Sequence, residues 1–516
     1  MTVSLAGGCQ EQLCTLITMS QLTMSQQIHP DLSTETDWPM YIDGEWTTPS
    51  DAGTLEVMNP HTQEKYAEVP AATTDTVDEA FEAAEAAQHE WAQTPPQERA
   101  GIVVSVLEEI HKHHDEIVDL IVNETGKSYL AAETAVHIAE GHIQYASSYP
   151  FNSSGRYDDS VIPGKENFVE REPVGVVAAI VPWNFPFNLT LRIVPHAIAL
   201  GNTVVLKPAP DTPIVGGAVM AYLFEQAGLP PGVLNVVTGH DDEIGDHISG
   251  HPTADVMSFT GSSEIGKRVG SRAVEQLTYP ALELGGNNPH IVREDADLEY
   301  ALNAASFASF VHSGQVCISI NRHLVHESLY QDYVAGLTER AQNIPTGNPL
   351  EDPDVIVGPV INEKQRDRII DFIEGTIADG ATLETGGDYE GLVVEPTVLS
   401  DVTNDMPLAC NEHFGPVAPI IPFSTDEEAI EMANDTNMGL SASIHSSDVN
   451  EARRMAGQIE SGTVHINDQT INDEPHIPFG GVKDSGLGRY NAKELMRTLT
   501  QTKWISVMDE QRQYPF

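Results

Sequence analysis

Five short stretches hold side chains able to attack, hold or hydrolyse a carbonyl group, or to meet a phosphate. HSGQVCISI (His312–Ile320) carries Cys317, one of four cysteines among 516 residues, after a flexible Ser-Gly pair. A thiolate there is a nucleophile and a buried thiol is inert packing; the stretch alone does not choose. VPWNFPFN (Val181–Asn188) locks Asn184 between two prolines and two large aromatics. Its amide either faces a developing oxyanion or closes an Asx-turn. LELGGNNP (Leu282–Pro289) sets Glu283 beside a Gly-Gly pair that permits close backbone approach, so its carboxylate is a general base for water or a helix-cap partner. LKPAPDTP (Leu206–Pro213) ends an apolar run on Lys207, whose ammonium suits ribose or phosphate oxygens. FTGSSEIG (Phe259–Gly266) turns into a helix start, where free amides favour a phosphate. Gly261 and Gly266 do not complete Gly-x-Gly-x-x-Gly, so an ordinary strand-to-helix turn fits it as well.

The elements that carry these stretches follow from hydrophobic rhythm. From Thr76 to Tyr149, Ala, Leu, Ile and Val recur at helical spacing. His111 and His114 have the spacing of a helical metal pair, but a polar helix face explains them and no metal is expected. From Val174 the rhythm changes. VGVVAAIV, TVVLK, VLNVVTG and DVMSFTG read as buried strands, with the helix TPIVGGAVMAYLFEQAG stopping at Gly228. Strands alternating with helices predict a doubly wound, Rossmann-like parallel sheet whose ligands sit at the carboxyl ends of the strands. The alternation resumes after Gly285, with PHIV, a helix over Leu298–Phe310 and RHLVH, which predicts a second α/β domain. The turn-rich segment 151–173 reads as a hairpin pairing with the tail, a sheet edge that completes itself across subunits. The expected units are a disordered leader (1–36), a cofactor-binding domain (37–150 and 174–284), a catalytic domain (285–483) and a small β oligomerisation arm (151–173 and 484–516).

Composition narrows the partners. With 26 Lys+Arg against 77 Asp+Glu, the net charge of -51 repels nucleic acid and anionic membrane. Such an acidic skin matches proteins of very salty cytoplasm, where salt screens self-repulsion. There is no apolar run of about 18 residues to span a bilayer. The first residues lack the basic start of a secretory signal. No Cys-x-x-Cys or Cys/His zinc spacing occurs, which fits a reducing cytoplasm.

PWNFP, LKPA, FTGS, LELGG, GQVC and NEHFGPV stand in this order, and together they resemble the aldehyde dehydrogenase superfamily, from YIDGEW near Tyr41 to WISV near Trp504. LELGGNNP, CISINRHLVH, NDQTINDEPHIPFGG and the terminal YPF are similar to the vanillin and benzaldehyde dehydrogenase branch. The resemblance implies that Cys317 is the nucleophile that forms a thiohemiacetal and then a thioester, with room left by Ser313 and Gly314. It implies an oxyanion held by Asn184 and the Cys317 N–H, and a hydrolytic water activated by Glu283. NAD or NADP is the implied cofactor, met by Ile180, Pro182, Trp183, Lys207, Pro210, Gly245, Gly261, Ser262, Leu284, Glu412 and Phe414.

Two departures from the family pattern bear on this. Asn411 and His413 flank Glu412 where Glu and Ile are commoner, yet the carboxylate survives. Pro210 stands where NAD-preferring members carry a glutamate for the ribose hydroxyls, so dual use or a lean to NADP is expected, with Asp211 adjacent. The implied substrate walls are Phe187, Arg192 and Ile318. The branch resemblance points to an aromatic or bulky aldehyde oxidised to the free acid. Arg192 leaves open a semialdehyde such as 2,5-dioxopentanoate or succinate semialdehyde. A CoA-acylating enzyme or an inactive relative are the remaining alternatives, and a homodimer or homotetramer is implied.

Overall fold

In the computed structural model, the described residues are Leu32, 38–49 and 53–516. The expected leader (1–36) lies outside them apart from Leu32, which is buried.

Helical rhythm over 74–146 becomes four helices: Thr74–Gln93, Pro96–Lys112, His114–Thr125 and Tyr129–Ala146. Thr73 caps the first by accepting from the Thr76 N–H, and Val77, Ala80, Phe81 and Ala84 form its buried stripe. His113 is the junction between the second and third helices, so His111 and His114 sit on different helices. They pair instead with Glu140 and Glu133, at 3.0 and 3.1 Å.

The first sheet has eight strands. Across it they run Glu45–Thr47, Met40–Ile42, Leu234–Val236, Thr203–Lys207, Val176–Ile180, Val256–Thr260, Tyr279–Glu283 and Gly486–Leu487. The five from Leu234–Val236 to Tyr279–Glu283 are parallel. They are almost wholly buried, as continuous apolar strands covered on both faces must be. Chain order reverses between Val176–Ile180 and Val256–Thr260. The crevice beyond their carboxyl ends is therefore where such a sheet takes its ligand. Register sets Ile180 beside Lys207 and Thr260 beside Glu283 at that edge.

The second sheet runs Thr382–Thr385, Thr397–Ser400, Val417–Phe423, Ile320–His326, Asn288–Val292, Ser441–His445 and Thr463–Ile466, parallel except at its first pair. The third sheet is antiparallel: the tail strand Thr500–Met508 pairs with Lys165–Pro173, which pairs with Arg156–Asp159. The expected arm is cut differently at its second segment. Gly486–Leu487 closes the edge of the first sheet, and Leu495, Met496 and Leu499 pack in that sheet's core, so only the residues from Thr500 onward join the hairpin. A short apolar strand end and a helix of seven residues were absorbed by the nearest core.

Candidate active site

The nucleophile loop is held in an uncommon backbone shape. His312, Ser313 and Gly314 all have positive φ (50°, 55° and 71°) immediately before the Gln315–Cys317 turn. Such conformations persist only where the surroundings over-determine them. Ser313 donates to the Gly358 carbonyl at 2.7 Å, and Gln315 accepts from the Ile361 N–H at 3.0 Å. A Cβ on Gly314 would lie 2.0 Å from the Gly415 carbonyl oxygen. The expectation that Ser313 and Gly314 leave room for an aldehyde is thus corrected: both pack against protein and shape the turn instead. Asn288 fastens the other side, donating to the Cys317 and Ser319 carbonyls at 2.9 and 2.7 Å. Cys317 stays partly exposed, and among the described residues its backbone N–H has no protein acceptor.

Asn184 follows the Val176–Ile180 strand and precedes a wholly buried helix, Pro186–Ala199, which starts on Pro186. Its Nδ2 donates to the Gln315 carbonyl at 3.0 Å, leaving a second amide hydrogen. Behind it, Lys127 donates to the Asn184 main-chain carbonyl, with its ammonium 3.8 Å from the centre of the Phe185 ring. Desolvation pulls that ammonium well below the ordinary lysine range.

Glu283 ends the Tyr279–Glu283 strand. It is buried, and among the described residues neither carboxylate oxygen has a protein partner. Burial pushes its carboxyl up to about 8, with Arg192 and Arg489 pulling the other way. An unpartnered buried carboxylate with this shift has the character of a general base near neutral pH. Burial likewise pushes the Cys317 thiol up to about 12; Arg192 opposes it, while Glu412 and Glu283 add to it.

These groups open onto one shared cavity. Its walls include Pro182, Trp183, Asn184, Gly261, Ser262, Glu283, Leu284, Cys317, Glu412 and Phe414, all expected there. Ser262, on the cavity wall, caps the Ser263–Glu275 helix by accepting from the Ile265 N–H, and a helix N-terminus of this kind favours a phosphate. Gly261 has no room for a side chain, since a Cβ would sit 2.5 Å from the Phe259 ring. Glu412 accepts from the Gly286 N–H, and burial pushes its carboxyl up to about 7, against the pull of that N–H and Arg368. A helix N-terminus on the wall, a glycine without room for a side chain and a partly buried carboxylate fit a dinucleotide.

Other expected residues lie elsewhere. Phe187 and Ile318 are buried away from the cavity, Phe187 in the main core and Ile318 beneath the nucleophile loop. On the Pro186–Ala199 helix it is Leu189 and Arg192, three residues apart, that face the cavity. Ile180 packs in the sheet's core, and Gly245 sits on the Asp241–Ser249 helix with open space around it, so neither lines the cavity. Lys207 is buried and donates to Asp241 and to the Pro208 carbonyl. Pro210 borders a second cavity with Glu56, Asp211 and His240.

Sequence reading missed Leu189, Gln365, Arg368 and Phe479 on the wall, and Lys127, Asn288 and Asp473 behind it. Asp473 lies inside NDQTINDEPHIPFGG, but one acid among 77 gives no signal of its own. It pairs with Arg192, whose guanidinium carbon lies 4.5 Å from the centre of the Phe479 ring.

Known proteins match this arrangement along nearly the whole chain. The sequence pattern of the Aldehyde dehydrogenase family covers residues 46–505. The chain is 42% identical over 476 residues to benzaldehyde dehydrogenase YfmT of Bacillus subtilis, spanning 92% of this chain and 98% of that one. It is 42% identical over 468 residues to vanillin dehydrogenase of Corynebacterium glutamicum, spanning 90% and 96%. The crystal structure of betaine aldehyde dehydrogenase from Staphylococcus aureus in complex with NAD+ superposes with a TM-score of 0.90 at 33% identity, spanning 93% of this chain and 96% of that one. The chain belongs to the aldehyde dehydrogenase family.

Proposed function

We propose that this NAD(P)-dependent aldehyde dehydrogenase oxidises neutral aromatic or bulky aldehydes to the free acid through a thioester on Cys317. The observation that carries the reading is a single cavity faced by the Cys317 thiol, the Asn184 amide and the unpartnered Glu283 carboxylate. Cys317 gives up its S–H proton to water in the cavity, Sγ bonds to the aldehyde carbon, and the carbonyl electron pair moves onto oxygen. The Asn184 side-chain amide and the Cys317 backbone N–H donate to that oxyanion; losing one such donor costs about 3–4 kcal/mol of transition-state stabilisation. Held by the Ser262 turn and Glu412, NAD(P)+ would accept the aldehyde hydrogen as hydride while the oxyanion re-forms C=O. The acyl group then remains on sulfur. Glu283 takes a proton from water, the hydroxide adds to the acyl carbon, and the C–S bond breaks to release the acid. Such a base is what a hydrolytic enzyme needs and a CoA-acylating one does not.

The substrate class rests on the named relatives and on the apolar wall formed by Leu189, Trp183 and Phe479. The semialdehyde reading depended on a free arginine, and Arg192 is already paired with Asp473. The protein acts as an oligomer, with the exposed edge of Thr500–Met508 as the joining surface. An aldehyde panel assayed by the absorbance of reduced NAD and NADP tests the activity. Turnover of benzaldehyde or vanillin with release of free acid is expected; acyl transfer only when CoA is present would contradict it.

A further inference from the structure

Asp473 lies where the chain passes behind the cavity, and its hydrogen-bond partners among the described residues are all side chains. Oδ2 accepts from Arg192 and lies 3.2 Å from His142 Nε2, and Oδ1 accepts from Asn491 Nδ2 at 2.7 Å. Burial works against its charge, yet Arg192 and then His142 hold its carboxyl well below the usual range. The ion pair is thus locked on both sides. Arg192 is itself buried and faces the cavity from the Pro186–Ala199 helix, stacked over Phe479. Its Nε is buried without a partner, and Nη1 has no hydrogen bond to protein among the described residues.

We propose that the Arg192–Asp473 pair is the specificity device of the aldehyde cavity: it offers guanidinium hydrogen-bond donors at zero net charge and turns away aldehydes with a distal carboxylate. This deepens the substrate reading proposed above and rests on it. A free guanidinium grips a carboxylate through two parallel bonds. Here one face of the fork is taken and a fixed negative charge stands behind it. A substrate carboxylate would meet a neutral pair in a low-dielectric pocket and lose its own hydration without a counter-charge. A methoxy, hydroxyl or ester oxygen loses much less and still finds an N–H.

A matched pair of aldehydes tests this on the wild-type enzyme: 4-carboxybenzaldehyde and its neutral methyl ester. The ester is expected to have a kcat/KM higher by about tenfold or more, from the size of one charge-assisted contact. Asp473→Asn keeps the side-chain shape and frees the arginine, and should narrow or reverse that ratio and lower the KM for succinate semialdehyde. Asp473→Asn combined with Arg192→Met should lose the gain. Equal use of acid and ester by the wild type would overturn the proposal, as would an Asp473→Asn variant that turns over the ester but gains nothing on the acid. Should the wild type reject both aromatic aldehydes yet oxidise other ones, the substrate reading falls, and the pair's role with it. The wild-type comparison stands even if the variants fold poorly.

Discussion

Glu412 accepts a hydrogen bond at 3.0 Å from the backbone N–H of Gly286, tying the loop that leaves the first sheet to the one that precedes the Val417–Phe423 strand of the second. The contact exists because neither glycine beside it has a side chain. A Cβ on Gly285 would lie 2.2 Å from a Glu412 carboxylate oxygen, and one on Gly286 would lie 2.5 Å from the Cys317 carbonyl oxygen.

Gly285→Ala should therefore push Glu412 off its amide. With Glu412 holding the dinucleotide, its KM is expected to rise by about tenfold, the scale of one hydrogen bond to a charged group. The aldehyde KM should move much less. Steady-state kinetics with each substrate varied in turn check this, and an unchanged dinucleotide KM would count against the role given to Glu412.

Much of this was legible in the sequence, for physical reasons that differ by residue. The buried parallel strands announce themselves because strands covered on both faces must be apolar throughout, as in VVAAI and TVVLK. Cys317, Asn184 and Glu283 draw notice through a Ser-Gly pair, flanking prolines and a Gly-Gly pair, but each stretch leaves two readings open and only the ordered set of motifs chooses between them. Phe187 and Ile318 misled because adjacency to a reactive residue says nothing about facing, which the helix period and the loop turn decide. Lys127 and Asp473 were invisible because they act from remote segments, 57 residues before Asn184 and 281 after Arg192. No local pattern links such pairs.

Lys127 is a positioning residue for Asn184. Lys127→Met leaves the Asn184 carbonyl without its donor and should lower kcat by about tenfold or more, as displaced oxyanion donors do. Aldehyde KM and the rate of Cys317 alkylation by iodoacetamide should stay close to those of the wild type. A kcat equal to wild type would refute the assignment; a parallel collapse of alkylation would point to a fold defect instead.

Asp241 bears on cofactor choice. Pro210 removes the carboxylate that would discourage a 2′-phosphate, but Asp241 sits on Lys207, and Glu56 and Asp211 line the neighbouring cavity. Glu56 and Asp211 repel a 2′-phosphate more than a hydroxyl, and Asp241 neutralises the Lys207 ammonium that would otherwise attract it. NAD is expected to bind more tightly than NADP at low ionic strength, by about tenfold, and the gap should shrink in molar salt as the Debye length falls to about 3 Å. Titration by protein fluorescence gives both Kd values. Asp241→Ala should narrow the gap at low salt, and tighter NADP binding by the wild type at low salt would contradict this.

The raised pKa of Glu283 fixes a pH dependence. Only its deprotonated form takes a proton from water, so thioester hydrolysis should climb as pH rises through about 8 and level off above it. Below that value the protonated carboxyl holds the step back. Single-turnover release of acid between pH 6 and 10 measures the profile, with those limits chosen as about two units either side. A rate independent of pH over that span would remove Glu283 from the role.

The most direct measurement of the central claim uses Glu283→Gln with NAD+ and benzaldehyde, quenched in acid and read by intact and peptide mass. One burst of reduced dinucleotide equal to the enzyme present is expected, with a single acyl group retained on the Cys317 peptide. Steady turnover with unmodified Cys317 would contradict both the thioester and the carboxylate's part in breaking it.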